Sequence, residues 1–369
     1  MRPFCAGAQH AVQLWGHGGI TCMEGTRLVG ALAFAQESLQ EPLTDEELKQ
    51  CWWEDTLCLA YGRSGEGQVA GEEREKAWHG SSGAKHFPGK APPVVLCSKG
   101  NANFLPNQDN FCIAYLKNGW TLAICADGHG IYGQLISTRV VQTLAYAVVH
   151  ELAGQEEHQF IPALEAAFDF VQKDLHSHAT KFGWDCEGSG SAIAMALYKG
   201  STVFMAHCGD CRCVIGLEHT GGLVFATQDH KPDVMSEQER IDAAGGEVRS
   251  QIYPDGWVVH RVFARGQELP GLCKSRSLGD LLAKEVGVTA VPDVAVVEVK
   301  LARKPFILLA SDGIWEFLDS EFVVKAIAKI LATDGPSRTL QKLQREARKR
   351  WRQEEGETCD DTTAILIRL

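Results

Sequence analysis

The sequence predicts an α/β (α+β) sandwich: two antiparallel β-sheets packed face to face, flanked by pairs of helices (αββα). Three observations point there. Short apolar runs with strand character come in neighbouring pairs joined by Gly- or Asn-containing turns, such as Lys117-Asn118-Gly119 and Lys199-Gly200, which favours hairpins over βαβ crossovers. Apolar residues three or four apart mark helices that also occur in pairs. The 369 residues, 45% hydrophobic and 22% charged, suffice for one large globular domain plus an extension, or for two modest domains.

Residues 1–90 are rich in Gly and Trp, lack sustained periodicity and close on the polar stretch 62–89, so they are read as an extension to a domain over 91–369. Within them, Thr44 and Glu47 ahead of Leu48, Cys51 and Trp52 have the form of a capping box opening a short helix. Strands are expected at 94–97, 111–116 and 121–126. Helical spacing follows in Ile136, Val140, Leu144 and Val148, and again in Leu164, Phe168, Val171 and Leu175. Strands return at 192–198, 202–208 and 213–217. The section 233–270 has few long apolar runs and is expected to form a flap or lid. A strand at 306–310, helices through Val323, Ile327 and Ile330 and through Leu340, Leu343, Ala347 and Trp351, and a strand at 363–369 complete the chain.

Composition narrows the function. No run of eighteen apolar residues occurs, and Met1-Arg2-Pro3 leads into a stretch broken by Gln9, His10, Gln13 and His17, so neither a membrane span nor a secretory signal is expected. The 13 cysteines are odd in number and scattered, and Cys97, Cys112 and Cys125 sit in apolar runs where a thiol packs as a small hydrophobe. A reducing compartment, cytoplasmic or nuclear, is the expectation. A net charge of −11 works against a nucleic-acid partner and suits a charged protein substrate or a bound cation.

One local pattern appears twice. The apolar runs 121–126 and 306–311 end in Asp127-Gly128 and Asp312-Gly313, placing a carboxylate at the end of a buried strand with a glycine that lets the backbone turn. Asp360-Asp361 stands just before the closing strand, and Asn107-Gln108-Asp109 just before the run 111–116. Taken singly, an Asp-Gly pair is more often a turn than a ligand. Four acidic sites at strand ends converge if those strands are neighbours, and such a cluster needs a cation to hold it together. Oxygen-only ligands select Mg²⁺ or Mn²⁺ over zinc. Two such ions can share a water, lower its pKa and offset charge on a phosphoryl group.

His129, between Gly128 and Gly130, reads either as a general acid or as a turn histidine satisfied by a carbonyl. Cysteine-based phosphatase chemistry is excluded, because no cysteine is followed six residues later by Arg. No H-E-x-x-H, Walker A or G-x-S-x-G occurs. Cys208, Cys211 and Cys213 lack a second cluster to complete a zinc site and read as strand-edge residues.

The motifs taken together resemble one family. Asp127-Gly128-His129-Gly130, Gly209-Asp210-Cys211-Arg212, Asp229-His230-Lys231-Pro232, Glu239-Arg240-Ile241 with Gly245-Gly246, Ser275-Arg276-Ser277-Leu278-Gly279-Asp280, 310–315 and Asp360-Asp361 are similar, in order, to the motifs of the PPM (type 2C) serine/threonine protein phosphatases. The resemblance implies a monomeric enzyme acting on phosphoserine and phosphothreonine in phosphoproteins, with two Mg²⁺ or Mn²⁺ ions and a weaker third. Asp127 would bridge both metals, the Gly128 carbonyl would join one, and Asp312 and Asp360 would complete the other. Asp109 would orient metal-bound water, His129 would protonate the leaving group, and Asp185 sits where the family can hold the third ion. Two departures stand out. Gln108 replaces a Glu, and no Arg lies between 89 and 118 to grip phosphate, although a subgroup also reads N-Q-D and D-D. Lys99 is the candidate phosphate anchor, with a solvated surface lysine as its alternative reading. The departures leave a second reading, a pseudophosphatase that keeps the fold and binds a partner without turnover. A two-metal nuclease shares the chemistry and conflicts with the acidic charge.

Overall fold

The computed structural model describes residues 92–102, 106–116, 118–253, 256 and 258–369, with the backbone of two earlier strands. The capping box at Thr44 and Glu47 lies outside them. In chain order the strands are β1 (Thr56–Arg63), β2 (Ala77–Gly80), β3 (Val94–Ser98), β4 (Asp109–Leu116), β5 (Thr121–His129), β6 (Gly190–Lys199), β7 (Thr202–Cys208) and β8 (Arg212–Leu217). They continue with β9 (Leu223–Ala226), β10 (Gly246–Ile252), β11 (Val258–Ala264), β12 (Pro270–Leu272), β13 (Leu278–Gly279), β14 (Asp293–Glu298), β15 (Pro305–Ala310) and β16 (Thr362–Arg368). The α-helices are α1 (Gly133–Leu152), α2 (Phe160–Phe182), α3 (Met235–Ala243), α4 (Leu281–Lys284), α5 (Asp312–Trp315) and α6 (Ser320–Glu355).

An eight-stranded sheet runs β14-β7-β6-β5-β4-β1-β2, with β13 added to β6, and a five-stranded sheet runs β3-β16-β15-β8-β9. Strand pairing in both is antiparallel. The larger sheet continues through β1 and β2 into the stretch read as an extension.

Period-two alternation decides which side chain goes where. Phe111, Ile113, Ala123, Cys125, Ala194 and Met205 point from the larger sheet toward Cys213, Ile215, Ile307, Leu309, Ile365 and Ile367 of the smaller one, forming the central layer. Their strand neighbours Cys112, Leu122 and Ile124 face the other way, onto Ile136, Val140 and Leu144 of α1 and Leu164, Phe168 and Leu175 of α2. The smaller sheet buries Phe306 and Leu308 against Val323, Ile327, Leu340 and Leu343 of α6. Each such side chain contributes roughly 1.5–3 kcal/mol relative to exposure. The four-layer sandwich expected from the sequence is the one observed. Cys97, Cys112 and Cys125 are buried in the core as expected.

Two details add to the expectation. Gly335 (φ 75°) followed by Pro336 breaks α6, so the two helical patterns read from the sequence are halves of one kinked element. The section 233–270 carries α3 and a separate three-stranded sheet, β10-β11-β12. Among the described residues no helix is long and apolar enough to cross a membrane.

Candidate metal and phosphate site

Strand register gathers the acidic residues. In the β4/β5 pair Asp109 lies opposite Asp127, so both carboxylates stand at one end of the larger sheet. In the smaller sheet Ala310 pairs with Ala364, which puts Asp312, just past β15, beside Asp360 and Asp361, just ahead of β16. Glycines make the close approaches: a Cβ at Gly313 would lie 2.0 Å from the Asp361 carbonyl, and one at Gly128 would lie 2.2 Å from the Gly133 carbonyl and 2.6 Å from that of Gln108.

The acids then divide by partner. Asp361 is a brace, its Oδ1 accepting from the Gly100 N–H and its Oδ2 from the Gln108 N–H, each at 2.7 Å. Asp109 accepts a 2.7 Å bond from the Ser311 hydroxyl. Asp127, Asp210 and Asp312 each bring one carboxylate oxygen within 4.8 Å of the others. Burial first, and then a neighbouring carboxylate (Asp127 for Asp109 and Asp312, Asp312 for Asp360), push the Asp109, Asp312 and Asp360 carboxyls well above the usual carboxylate range. Burial opposes ionisation of Asp210 too. There the ammonium groups of Lys231 and Lys274 prevail and hold the carboxyl well below that range.

The remaining expected residues fall as follows. His129 stands beside the group with Nε2 2.7 Å from Asp280 Oδ2. Since an ionised carboxylate only accepts, Nε2 carries a proton there, and the buried Nδ1 has no hydrogen-bond partner among the described residues. Lys99 is buried, with its ammonium 3.7 Å from Asp361, which rules out the solvated surface lysine. Asp185 stands outside the carboxylate group, its Oδ1 accepting from the N–H groups of Glu187 (2.9 Å) and Gly188 (3.2 Å). Gln108 donates from Nε2 to the Gly130 carbonyl at 2.6 Å. Arg212 pairs at both ends with Asp229 and lies over the Trp315 ring, so the arginine of Asp-Cys-Arg is a brace.

Three site residues carried no role in the sequence reading. Asp210 follows β7 by two residues and repeats the strand-then-acid pattern that marked Asp127 and Asp312. Asp280 ends a recognised motif, but only the fold brings it to His129. Lys274 left no signal, being an isolated lysine whose side chain is 5% exposed, with Nζ 2.7 Å from Asp210 Oδ1, 3.3 Å from Asp127 Oδ2 and 3.6 Å from Asp312 Oδ2.

The donor chemistry, carboxylate oxygens only, fits a hard divalent ion. The geometry does not fit the expected pair as it stands, because an ammonium already lies among Asp127, Asp210 and Asp312. A second group, His207, His230 and Asp293, also brings ligand atoms within 4.8 Å. Its atoms are partly committed: Asp293 Oδ1 accepts from Arg276 at 2.7 Å and His207 Nε2 faces the Gln228 carbonyl at 2.7 Å, whereas His207 Nδ1 and His230 Nε2, the latter 3.2 Å from Asp293 Oδ2, are buried without a hydrogen-bond partner among the described residues.

Comparison with known proteins identifies the family. A family model described as Protein phosphatase 2C matches residues 122–356. Probable protein phosphatase 2C 64 of Oryza sativa subsp. japonica is 33% identical over 252 residues, 65% of this chain and 56% of that protein. Probable protein phosphatase 2C 72 of Arabidopsis thaliana is 31% identical over 236 residues, 60% and 69% of the two chains. The chain thus spans little more than half the length of the first of these. In fold it is similar to the serine-threonine phosphatase 2C from Toxoplasma gondii (TM-score 0.61, 20% identity, 75% of this chain and 94% of that one). It is also similar to a C. elegans sex determining protein (TM-score 0.59, 17% identity, 75% and 64%).

Proposed function

Because the chain belongs to the protein phosphatase 2C family, we propose that it hydrolyses phosphoserine and phosphothreonine esters in proteins with the help of Mg²⁺ or Mn²⁺. The observation that carries this reading is the meeting of Asp109 and Asp127, from one sheet, with Asp312 and Asp360, from the other, beside His129.

Asp127, Asp312 and Asp360 would hold the ion, with the Gly128 carbonyl beside them. A divalent ion bound there acidifies water and offsets the charge of the phosphoryl group. The protein's own residues do the rest. The Ser311 hydroxyl fixes the Asp109 carboxylate, which orients the attacking water. His129 supplies the proton to the departing serine or threonine oxygen, and Asp280 holds its ring. Lys99, drawn up against Asp361, is the cation available to pair with phosphate. Burial of the whole group strengthens each of these contacts relative to water.

A second reading, a fold that captures a phosphoprotein with little turnover, is favoured by two observations. Gln108 brings a neutral amide, already given to the Gly130 carbonyl, and Lys274 brings a positive charge into the carboxylate group.

Assaying the purified chain on phosphopeptides and on an oligonucleotide across a Mn²⁺ titration separates the readings. Mn²⁺-dependent turnover of phosphopeptides alone is expected, with Asp127→Asn and Asp312→Asn each lowering it by roughly 10³-fold or more. A chain inert at every Mn²⁺ concentration that still binds the phosphopeptide supports the capture module. Cleavage of the oligonucleotide at a comparable rate removes both.

A further inference from the structure

The ammonium of Lys274 lies where the sequence argument calls for a cation. The three carboxylates around it, those of Asp127, Asp210 and Asp312, are also the three whose oxygens approach within 4.8 Å of one another. An N···O separation of 2.7 Å to Asp210 is that of a close ion pair. A divalent ion in the same place would bind oxygen at roughly 2.0–2.2 Å and would have to expel the ammonium first.

The lysine is also held from behind. The next residue, Ser275, donates its N–H to the His230 carbonyl at 3.0 Å and its hydroxyl to Glu237 Oε2 at 2.6 Å. Arg240 donates to the Ser275 carbonyl at 2.8 Å. Arg276 donates to Glu237 and, at 2.7 Å, to Asp293. The backbone on the C-terminal side of Lys274 is therefore pinned by charge pairs gathered on the buried Glu237. The long side chain leaves that fixed point and enters the acidic group at 5% exposure, where only charge balance repays the loss of hydration. A second ammonium, that of Lys231, stands 2.7 Å from Asp210 Oδ2, so this carboxylate is bracketed by lysines on both oxygens.

We propose that Lys274 is a tethered counter-ion that takes the place of one divalent metal ion, so that this centre binds one ion fewer than the pair its carboxylates would otherwise hold. The proposal rests on the reading of the site as a metal-dependent phosphatase centre. The consequence is a built-in charge that balances the acids whether or not metal is present.

The test counts ions. Mn²⁺ binding to the full chain is measured by calorimetry for the native protein and for Lys274→Met and Lys274→Gln, with far-UV circular dichroism to confirm that each is folded. Both variants are expected to bind one more Mn²⁺ per chain than the native protein. Their Tm is expected to fall in EDTA and to rise with Mn²⁺ by several degrees more than that of the native protein. Equal ion counts in all three, whatever the number, overturn the proposal. Phosphopeptide turnover, read separately at saturating Mn²⁺, decides the underlying enzymatic reading: a chain that gains an ion on loss of Lys274 yet never hydrolyses phosphopeptide keeps the counter-ion and loses the phosphatase.

Discussion

The Nε2 of His129 and the Oδ2 of Asp280 stand 2.7 Å apart across 151 residues of sequence, with Asp280 in the left-handed region (φ 48°). The β13/β6 register produces the contact by pairing Gly279 with Gly190, where a Cβ would lie 2.1 Å from Asp280 Oδ2. Burial opposes ionisation of Asp280, and His129 leads the groups that overcome it and draw its carboxyl down.

Asp280 acts as a positioning residue for His129. Asp280→Asn is expected to lower phosphopeptide turnover by about 10- to 100-fold, a part of the roughly 10²–10⁴ a positioned acid supplies. Gly190→Ala, which pushes the carboxylate aside, is expected to do the same. Comparing kcat-against-pH profiles with melting curves checks this: a shifted acidic or basic limb marks positioning, and a lower Tm with an unchanged profile marks a structural role.

Gly128→Ala is expected to destabilise the protein by the upper part of roughly 1–3 kcal/mol, the range for overpacking a tight interior. The added methyl carbon meets two carbonyl oxygens of the backbone, neither of which can rotate away. Chemical denaturation of native and variant chains measures the difference. An equal midpoint shows that the loop yields.

Glu237, 2% exposed, accepts from Arg276, Arg240 and Ser275. Burial works against this carboxylate, and those donors outweigh it, drawing its pKa down to about 2. Removing it in Glu237→Ala takes the shared carboxylate from the two half-buried guanidinium groups, which keep their other partners, with an expected cost of about 3 kcal/mol, the low end for a broken buried pair. The same denaturation curves report it.

Acid sensitivity is expected from His207, which is 4% exposed. Burial, and then the neighbouring His230, lower its pKa to about 4, against the favourable Gln228 carbonyl and the more distant Asp293 and Asp229. A histidine lowered by folding contributes stability that is complete above about pH 6.5 and is lost as the pH falls toward 4, because the unfolded chain takes up the proton first. The full loss amounts to about 3 kcal/mol. Stability measured from pH 7 to pH 4 is expected to fall by this amount beyond the carboxylate contribution, and His207→Gln is expected to flatten that part of the curve.

How much of the molecule could be read in advance follows from the range of each interaction. Strands β3 to β8, β15 and β16 and helices α1, α2 and α6 carry their own period, so Phe111 and Ile113, or Leu164 and Phe168, announce their faces locally. Strands β9, β10, β11 and β14 were missed because exposed residues such as Leu223, Ile252, Val258 and Val296 blur the alternation, and β12 and β13 because two or three residues carry no period. Asp109, Asp127, Asp312 and Asp360 were legible because each abuts an apolar run. Lys274 and Asp280 were not, since a buried ammonium or a carboxylate on an imidazole is defined by partners distant in the chain, about which neighbouring sequence says nothing.

The union of the two layers at Asp127 and Asp312 bears on how the protein comes together. The β4/β5 hairpin, or the β15/β16 pair that α5 and α6 connect, holds only half of the acids and forms without meeting the other half's repulsion. The electrostatic cost arises only when the sheets dock, and at that moment the lysine or an ion must be in place to offset it. Cation occupancy and docking are thereby linked: whatever fills the seam shifts the equilibrium toward the closed sandwich, and whatever empties it loosens that edge first.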